Sequence, residues 1–237
     1  MNKFELILKE PFYVLLLFFR KVYFKISGKK IYIYFISSYF ERLLIYLDRI
    51  NSMRGEKKLA RKIIHDNFSY KNFPFYNQYE QRVNFEIKNL QLRKSSKVLF
   101  VGGGAVPLTA ILLSKDVGCR VDCYEFNKCR ALLGRQVIDK INAKGIMVHR
   151  KDGINAETNG YSHIYISATA EPQIRLLRKF LSSKDARASQ KILCRSLYNS
   201  IGKKIDDLFM QCFFKYWSCS KHSSPNLYEE IRIFERK

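Results

Sequence analysis

Proline and glycine are scarce in this chain, with 5 and 11 residues among 237, and so is acid: 21 Asp and Glu stand against 43 Lys and Arg, a formal charge of +22. Six cysteines, Cys119, Cys123, Cys129, Cys194, Cys212 and Cys219, include no C-x-x-C pair, and most fall in apolar runs. That spacing argues against a zinc site or a disulfide framework and leads us to expect reduced, buried thiols in a cytoplasmic protein. "PFYVLLLFF" at 11–19 is far short of the ~20 apolar residues a membrane-spanning helix needs. Acids precede it, Arg20 and Lys21 follow it, and no small-residue cleavage site appears, so it makes a poor signal peptide. A buried helix is expected there, with a basic interfacial helix on a membrane as the lesser reading.

The basic excess would suit anionic partners, nucleic acid or a phospholipid surface among them. The cations are scattered, however, with no five in a row, and the chain is visibly rich in Lys, Ile, Tyr, Phe and Asn. Compositional drift is the simpler explanation. Nucleic acid and peripheral membrane contact are partners that the charge allows and does not require. With 47% hydrophobic and 14% aromatic residues, the chain has the means to build a core.

Periodicity divides the chain in two. Residues 1–92 read as helical. In "YFERLLIYLDRI", Phe40, Leu43, Leu44, Leu47 and Ile50 repeat at helical spacing, and Tyr76, Tyr79, Val83, Ile87 and Leu90 form a second stripe. "NFSYKNFPF", with Pro74, is a loop between them. From 93 to 237, short apolar runs ("KVLFVG", "RVDCYEF", "GIMVHR", "SHIYISA", "KILCRS") alternate with helical stretches, the pattern of a parallel sheet in an α/β domain. "YEEIRIFERK" adds an antiparallel strand, with "KYWSCS" as its partner. No internal repeat or low-complexity linker interrupts this organisation.

Gly102, Gly103 and Gly104 follow the first strand directly, where a backbone free of Cβ atoms can turn sharply and approach a ligand. Pro107 stands where a dinucleotide fingerprint has its third glycine. Glu125 closes the second strand, placed for ribose hydroxyls, and Asp152 follows the third, placed beside an adenine. The three signals together favour S-adenosylmethionine (SAM) over NAD. Read as plain structure, Glu125 is a strand-end acid and Asp152 a turn residue.

"FVGGGAVPLTAILLSK" resembles the SAM loop of the nicotianamine synthase family, where a glycine turn runs into Pro-Leu-Thr. "FPFYNQYEQRVNFEIKNL" is similar to the family's aromatic element and the helix that follows it. "ILCRSLYNSIGKK" and "EEIRIFERK" resemble its fifth and closing strands, so the likeness runs from about residue 40 to the end. The chain departs from the family in "RGEKKLARK", which keeps Glu56 and Leu59 but places Lys and Arg where other acids stand. The resemblance implies a Rossmann-like SAM-binding domain capped by an N-terminal helical domain. It also implies transfer of SAM's 3-amino-3-carboxypropyl group to an amine or amino-acid acceptor, with release of methylthioadenosine, in metallophore biosynthesis.

By that resemblance Glu56 is the general base, Tyr76 and Tyr79 hydrogen-bond a substrate carboxylate, and Arg195 pairs with a carboxylate in bidentate fashion. Ala168, in "ISATAEP" after the fourth strand, completes a cofactor-binding set with Gly102, Gly103, Gly104, Pro107, Glu125 and Asp152. SAM enters as substrate. No metal is expected on the protein, since His65, His149, His163 and His222 lack ligand spacing. Two alternatives remain open. One is a SAM methyltransferase acting on RNA or a small molecule, although no NPPY-type motif is present. The other is a non-catalytic protein on a degenerate SAM fold.

Overall fold

The computed structural model describes residues 50, 52–73, 76–183, 189–196, 205–207, 211, 213–223 and 230–237. Five short, largely apolar runs form parallel strands: β1 (Lys97–Val101), β2 (Arg120–Tyr124), β3 (Ile146–His149), β4 (His163–Ile166) and β5 (Lys191–Ser196). The two late segments read from the sequence as strands are β6 (Trp217–Ser223) and β7 (Glu230–Arg236), paired antiparallel to each other. β7 also pairs antiparallel with β5, giving the order β3-β2-β1-β4-β5-β7-β6. The order reverses between β1 and β4, so the chain leaves their C-terminal ends in opposite directions and opens a crevice there.

Alternation along β1 explains the layers. Val98 and Phe100 point to one face, where they join Leu59, Ile63, Val83 and Leu112. Leu99 and Val101 point to the other, against Leu176, Leu177 and Phe180. A strand covered on both faces must be apolar throughout, which is why "VLFV" is unbroken. The first face is covered by α1 (helical across residues 52–65), α2 (Tyr76–Leu90), α3 (Leu108–Val117) and α4 (Lys128–Lys140). The second is covered by α5 (Gln173–Leu181). Between β3 and β4 only one 3-10 turn, Gly153–Asn155, stands where the βα pattern leads one to expect a helix.

Contacts group Gly55–Lys237 into one unit, so α2 and the described part of α1 after Arg54 share the core of the sheet. The other unit, Met1–Arg54, contains the stripe at 40–50 and "PFYVLLLFF", which apart from Ile50 lie outside the described residues, as do Pro74 and Cys212. Among the described residues no helix is long and apolar enough to cross a membrane.

Phe180 is fully buried at the centre of the second face, whereas Phe126 is 75% exposed. Phe180→Ala should lower unfolding free energy by about 3–5 kcal/mol. Phe126→Ala should change it by no more than about 0.5 kcal/mol. Urea melts of the two variants would show whether α5 is integral to the core.

Candidate active site

The glycine turn leaves β1 at the switch point. Gly102 and Gly104 have φ of +87° and +77°, the left-handed region that side chains disfavour. A Cβ on Gly102 would sit 3.0 Å from Ser167 Cβ, in the turn after β4 that also holds the buried Ala168. A Cβ on Gly103 would lie 3.1 Å from Cys123 Cβ. One on Gly104 would lie 2.5 Å from a carboxylate oxygen of Glu56. Pro107, buried, caps the start of α3 and gives up a carbonyl to Ile111 N–H. α4 rides close over the turn, because a Cβ on Gly134 would be 3.1 Å from the Gly104 carbonyl oxygen.

Glu56, on α1, reaches this turn. Its Oε2 accepts from the Ala105 backbone N–H at 3.3 Å and from Arg130 Nη2 at 2.7 Å. Burial pushes the Glu56 carboxyl up from its ordinary value. Arg130 and the Ala105 hydrogen bond pull it down, and Glu125 adds to the rise. The net direction is upward because loss of water costs a carboxylate more than one partner returns. Even so, 18% of the side chain remains exposed, so the group is reachable. Glu125 stands on the other side of the same guanidinium, with Oε2 3.6 Å from Arg130 Nη1. Its two oxygens accept from Gly104 N–H and Asn127 N–H, both at 2.9 Å, and each keeps a second acceptor site.

The two tyrosines separate. Tyr76 donates to Glu80 Oε1 at 2.8 Å on its own helix, and burial drives its phenol above the ordinary value. Tyr79 reaches the candidate site instead. Its hydroxyl is 2.7 Å from Thr109 Oγ1 and accepts from Arg195 Nη1 at 3.2 Å. "FPFYNQY" and "Pro-Leu-Thr", 30 residues apart, therefore meet in one hydrogen bond.

Arg195 takes a different partner from the one expected. Its Nε and Nη2 donate to Glu86 at 2.8 and 2.5 Å, and both side chains are essentially without solvent. The bidentate edge expected to hold a substrate carboxylate thus holds Glu86, while Nη1 also donates to Thr109 at 2.9 Å. Arg82 stacks 4.0 Å from the Tyr79 ring centroid and lies 3.9 Å from Glu86, so α2 carries a buried charged network. Asp152 acts as a turn residue, accepting from Ile154 N–H at 2.9 Å.

Sequence reasoning passed over Glu86, Arg130, Thr109 and Gly134. Glu86 lies seven residues after Tyr79 and so falls on the buried stripe where Ile87 was expected. Arg130 sits in the first turn of α4, where the helix dipole disfavours a cation, and that misfit was the available signal. Among the described residues no group of three His, Cys, Asp or Glu side chains stands close enough to hold a metal.

Removing one member of a buried ion pair strands the other, at a cost of about 3–5 kcal/mol, whereas replacing both with apolar groups is often near neutral. Glu86→Leu should therefore destabilise the chain strongly, and Glu86→Leu with Arg195→Met should recover most of the loss. Thermal melts of the single and double variants measure this, and additive losses would contradict it.

No family model matches the chain. Over 73 residues it is 33% identical to the L-histidine 2-aminobutanoyltransferase of Yersinia pestis, a stretch covering 31% of the chain and 28% of that relative. Its fold is similar to nicotianamine synthase MtNAS, solved as a point mutant with S-adenosylmethionine, at a TM-score of 0.68 and 23% identity over 81% of this chain and 76% of that one. A structure of MtNAS with MTA and tNA gives a TM-score of 0.67 at 22% identity, covering 82% and 75% of the two chains. A ribosomal protein L11 methylase from Lactobacillus delbrueckii subsp. bulgaricus gives 0.56 at 13% identity, covering 70% and 81%. The chain thus has the methyltransferase-like fold that nicotianamine synthase shares, and in sequence it resembles an aminobutanoyltransferase.

Proposed function

We propose that this chain is a SAM-dependent transferase that moves the 3-amino-3-carboxypropyl group of S-adenosylmethionine to an amine, releasing methylthioadenosine. The acceptor is an amino acid such as histidine, or a SAM-derived aminobutanoate, and the product serves metallophore biosynthesis. One observation carries the reading: a carboxylate of raised proton affinity, Glu56, lies against the glycine turn where SAM's amino-acid end would approach. Support also comes from the aminobutanoyltransferase likeness and from a similar fold solved with S-adenosylmethionine.

In the reaction the acceptor nitrogen attacks the γ-carbon of the methionine moiety. The carbon–sulfur bond breaks, its electron pair stays on sulfur as a neutral thioether, and the amine proton passes to Glu56. Which sulfonium carbon reacts is a matter of presentation, so positioning decides the product. Glu125, with a spare acceptor site on each oxygen, would take the ribose hydroxyls. Tyr79, half-buried on α2 and held by Thr109 and Arg195, offers its hydroxyl beside the start of α3. SAM's carboxylate falls to the Tyr79 hydroxyl and to backbone N–H groups, since Glu86 occupies the paired edge of Arg195.

Incubation with SAM and a mixture of amino acids should yield methylthioadenosine and an acceptor heavier by one aminobutanoate unit, read by mass. Accumulation of S-adenosylhomocysteine would make the chain a methyltransferase on the same fold. Glu56→Gln should keep SAM binding and lose turnover by about 10²–10⁴-fold.

The pH dependence follows from the upward displacement of Glu56. A base must be ionised, so kcat/KM should fall as pH drops through a midpoint above the ordinary carboxylate range. In Glu56→Gln the residual rate should lose this acid limb. A wild-type profile flat down to pH 4 would remove Glu56 as the base.

A further inference from the structure

Arg130 is a buried cation in the first turn of α4, where the helix dipole alone would disfavour it. Its backbone is pinned, because the capping Asn127 accepts its N–H at 3.1 Å. Its guanidinium is divided between two carboxylates: Nη2 holds Glu56 at 2.7 Å and Nη1 stands 3.6 Å from Glu125. Its Nε is buried with no hydrogen-bond partner among the described residues. With both acids ionised, one guanidinium faces two negative charges, and the cluster keeps one negative charge in excess. A ligand carrying a single positive charge balances it.

The geometry also shows where such a ligand must contend. Glu56 lies across the open side of Gly104, against the Ala105 N–H, and so occupies the close approach that the glycine provides. Resting on the function proposed above, we propose that Arg130 is a positioning residue for the base: it holds Glu56 against the glycine turn in the empty site and yields it to the cationic end of S-adenosylmethionine. The groups that act on Glu56 come from three elements: Arg130 on α4, Glu125 in the connection after β2, and the Ala105 N–H in the turn. On its own helix Lys57 is half-buried and Lys58 exposed.

The carboxyl carbon of Glu56 can be followed directly, in chain labelled with ¹³C at glutamate Cδ, with Glu56→Gln identifying its signal. Arg130→Gln should move the titration midpoint to higher pH, Glu125→Gln should move it to lower pH, and Arg130→Lys should leave it near the wild type. An unmoved midpoint in folded Arg130→Gln overturns the proposal. If that variant does not fold, the Arg130→Lys and Glu125→Gln arms decide it, and a Glu125→Gln midpoint that stays put or rises is fatal. In the unsubstituted chain, saturating S-adenosylmethionine should shift the Arg130 Nε–H resonance, and neutral methylthioadenosine should shift it less. Equal shifts, or none on saturation, overturn the displacement. Failure of S-adenosylmethionine to bind at all sinks the transferase reading and leaves the titration arms standing.

Discussion

A bidentate ion pair between Glu86 and Arg195, shut away from solvent, joins the middle of α2 to the C-terminal part of β5. Burying two charges costs several kcal/mol per ion, returned only when the geometry is good and the remaining donors are satisfied. Here Nη1 is satisfied by Tyr79 and Thr109, and Arg82 stacks on the Tyr79 ring. A slip of α2 along the sheet would break all of these at once. The network therefore sets the register of α2, and with it the place of Tyr79 beside Thr109. Apolar packing through Val83 and Leu90 supplies cohesion but tolerates sliding far better than a fork-to-fork pair does.

Much of the fold was legible because its signals are local. Each parallel strand is a short apolar run, α2 carries an apolar stripe, and the charged and apolar residues of the last strand alternate in sequence over much of its length. The glycine turn could be read for the same reason, since positive φ at Gly102 and Gly104 demands glycine whatever lies nearby. What could not be read depends on pairing across long separations. Glu86 and Arg195 are 109 residues apart, and Glu56 and Arg130 are 74 apart. Taken alone, Arg195 looks like a cation awaiting a ligand. Only the fold reveals that its partner is already present. Tyr76 and Tyr79 differ by 300° around a helix, and nothing local told which would face Thr109. The missing helix between β3 and β4 likewise has no breaker of its own beyond Gly153 and Gly160.

The cations around Glu56, which mark this chain off from the family it resembles, acquire a physical sense from the structure. Lys58 is exposed, where water screens it, and Lys57 is half-buried. The influential cation is Arg130, distant in sequence and in direct contact. It opposes the upward push of burial on Glu56 without cancelling it. A carboxylate balanced in that way has its proton affinity set by distance to one guanidinium, and that distance is set by where α4 lies.

Gly134 governs where α4 lies. Its missing side chain allows the helix to settle against the Gly104 carbonyl oxygen, one helical turn beyond Arg130. Gly134 thus works as a spacer of zero thickness. Any methyl group there would act as a shim, lifting the helix and drawing the guanidinium away from Glu56. For a pair now 2.7 Å apart, a retreat of a few tenths of an ångström weakens the Coulomb attraction by on the order of 0.5 kcal/mol at an effective dielectric of about 20. The acidity of the candidate base is in this sense a mechanical property, adjustable from a position whose nearest neighbours are the Gly104 carbonyl and Val148 rather than the base itself.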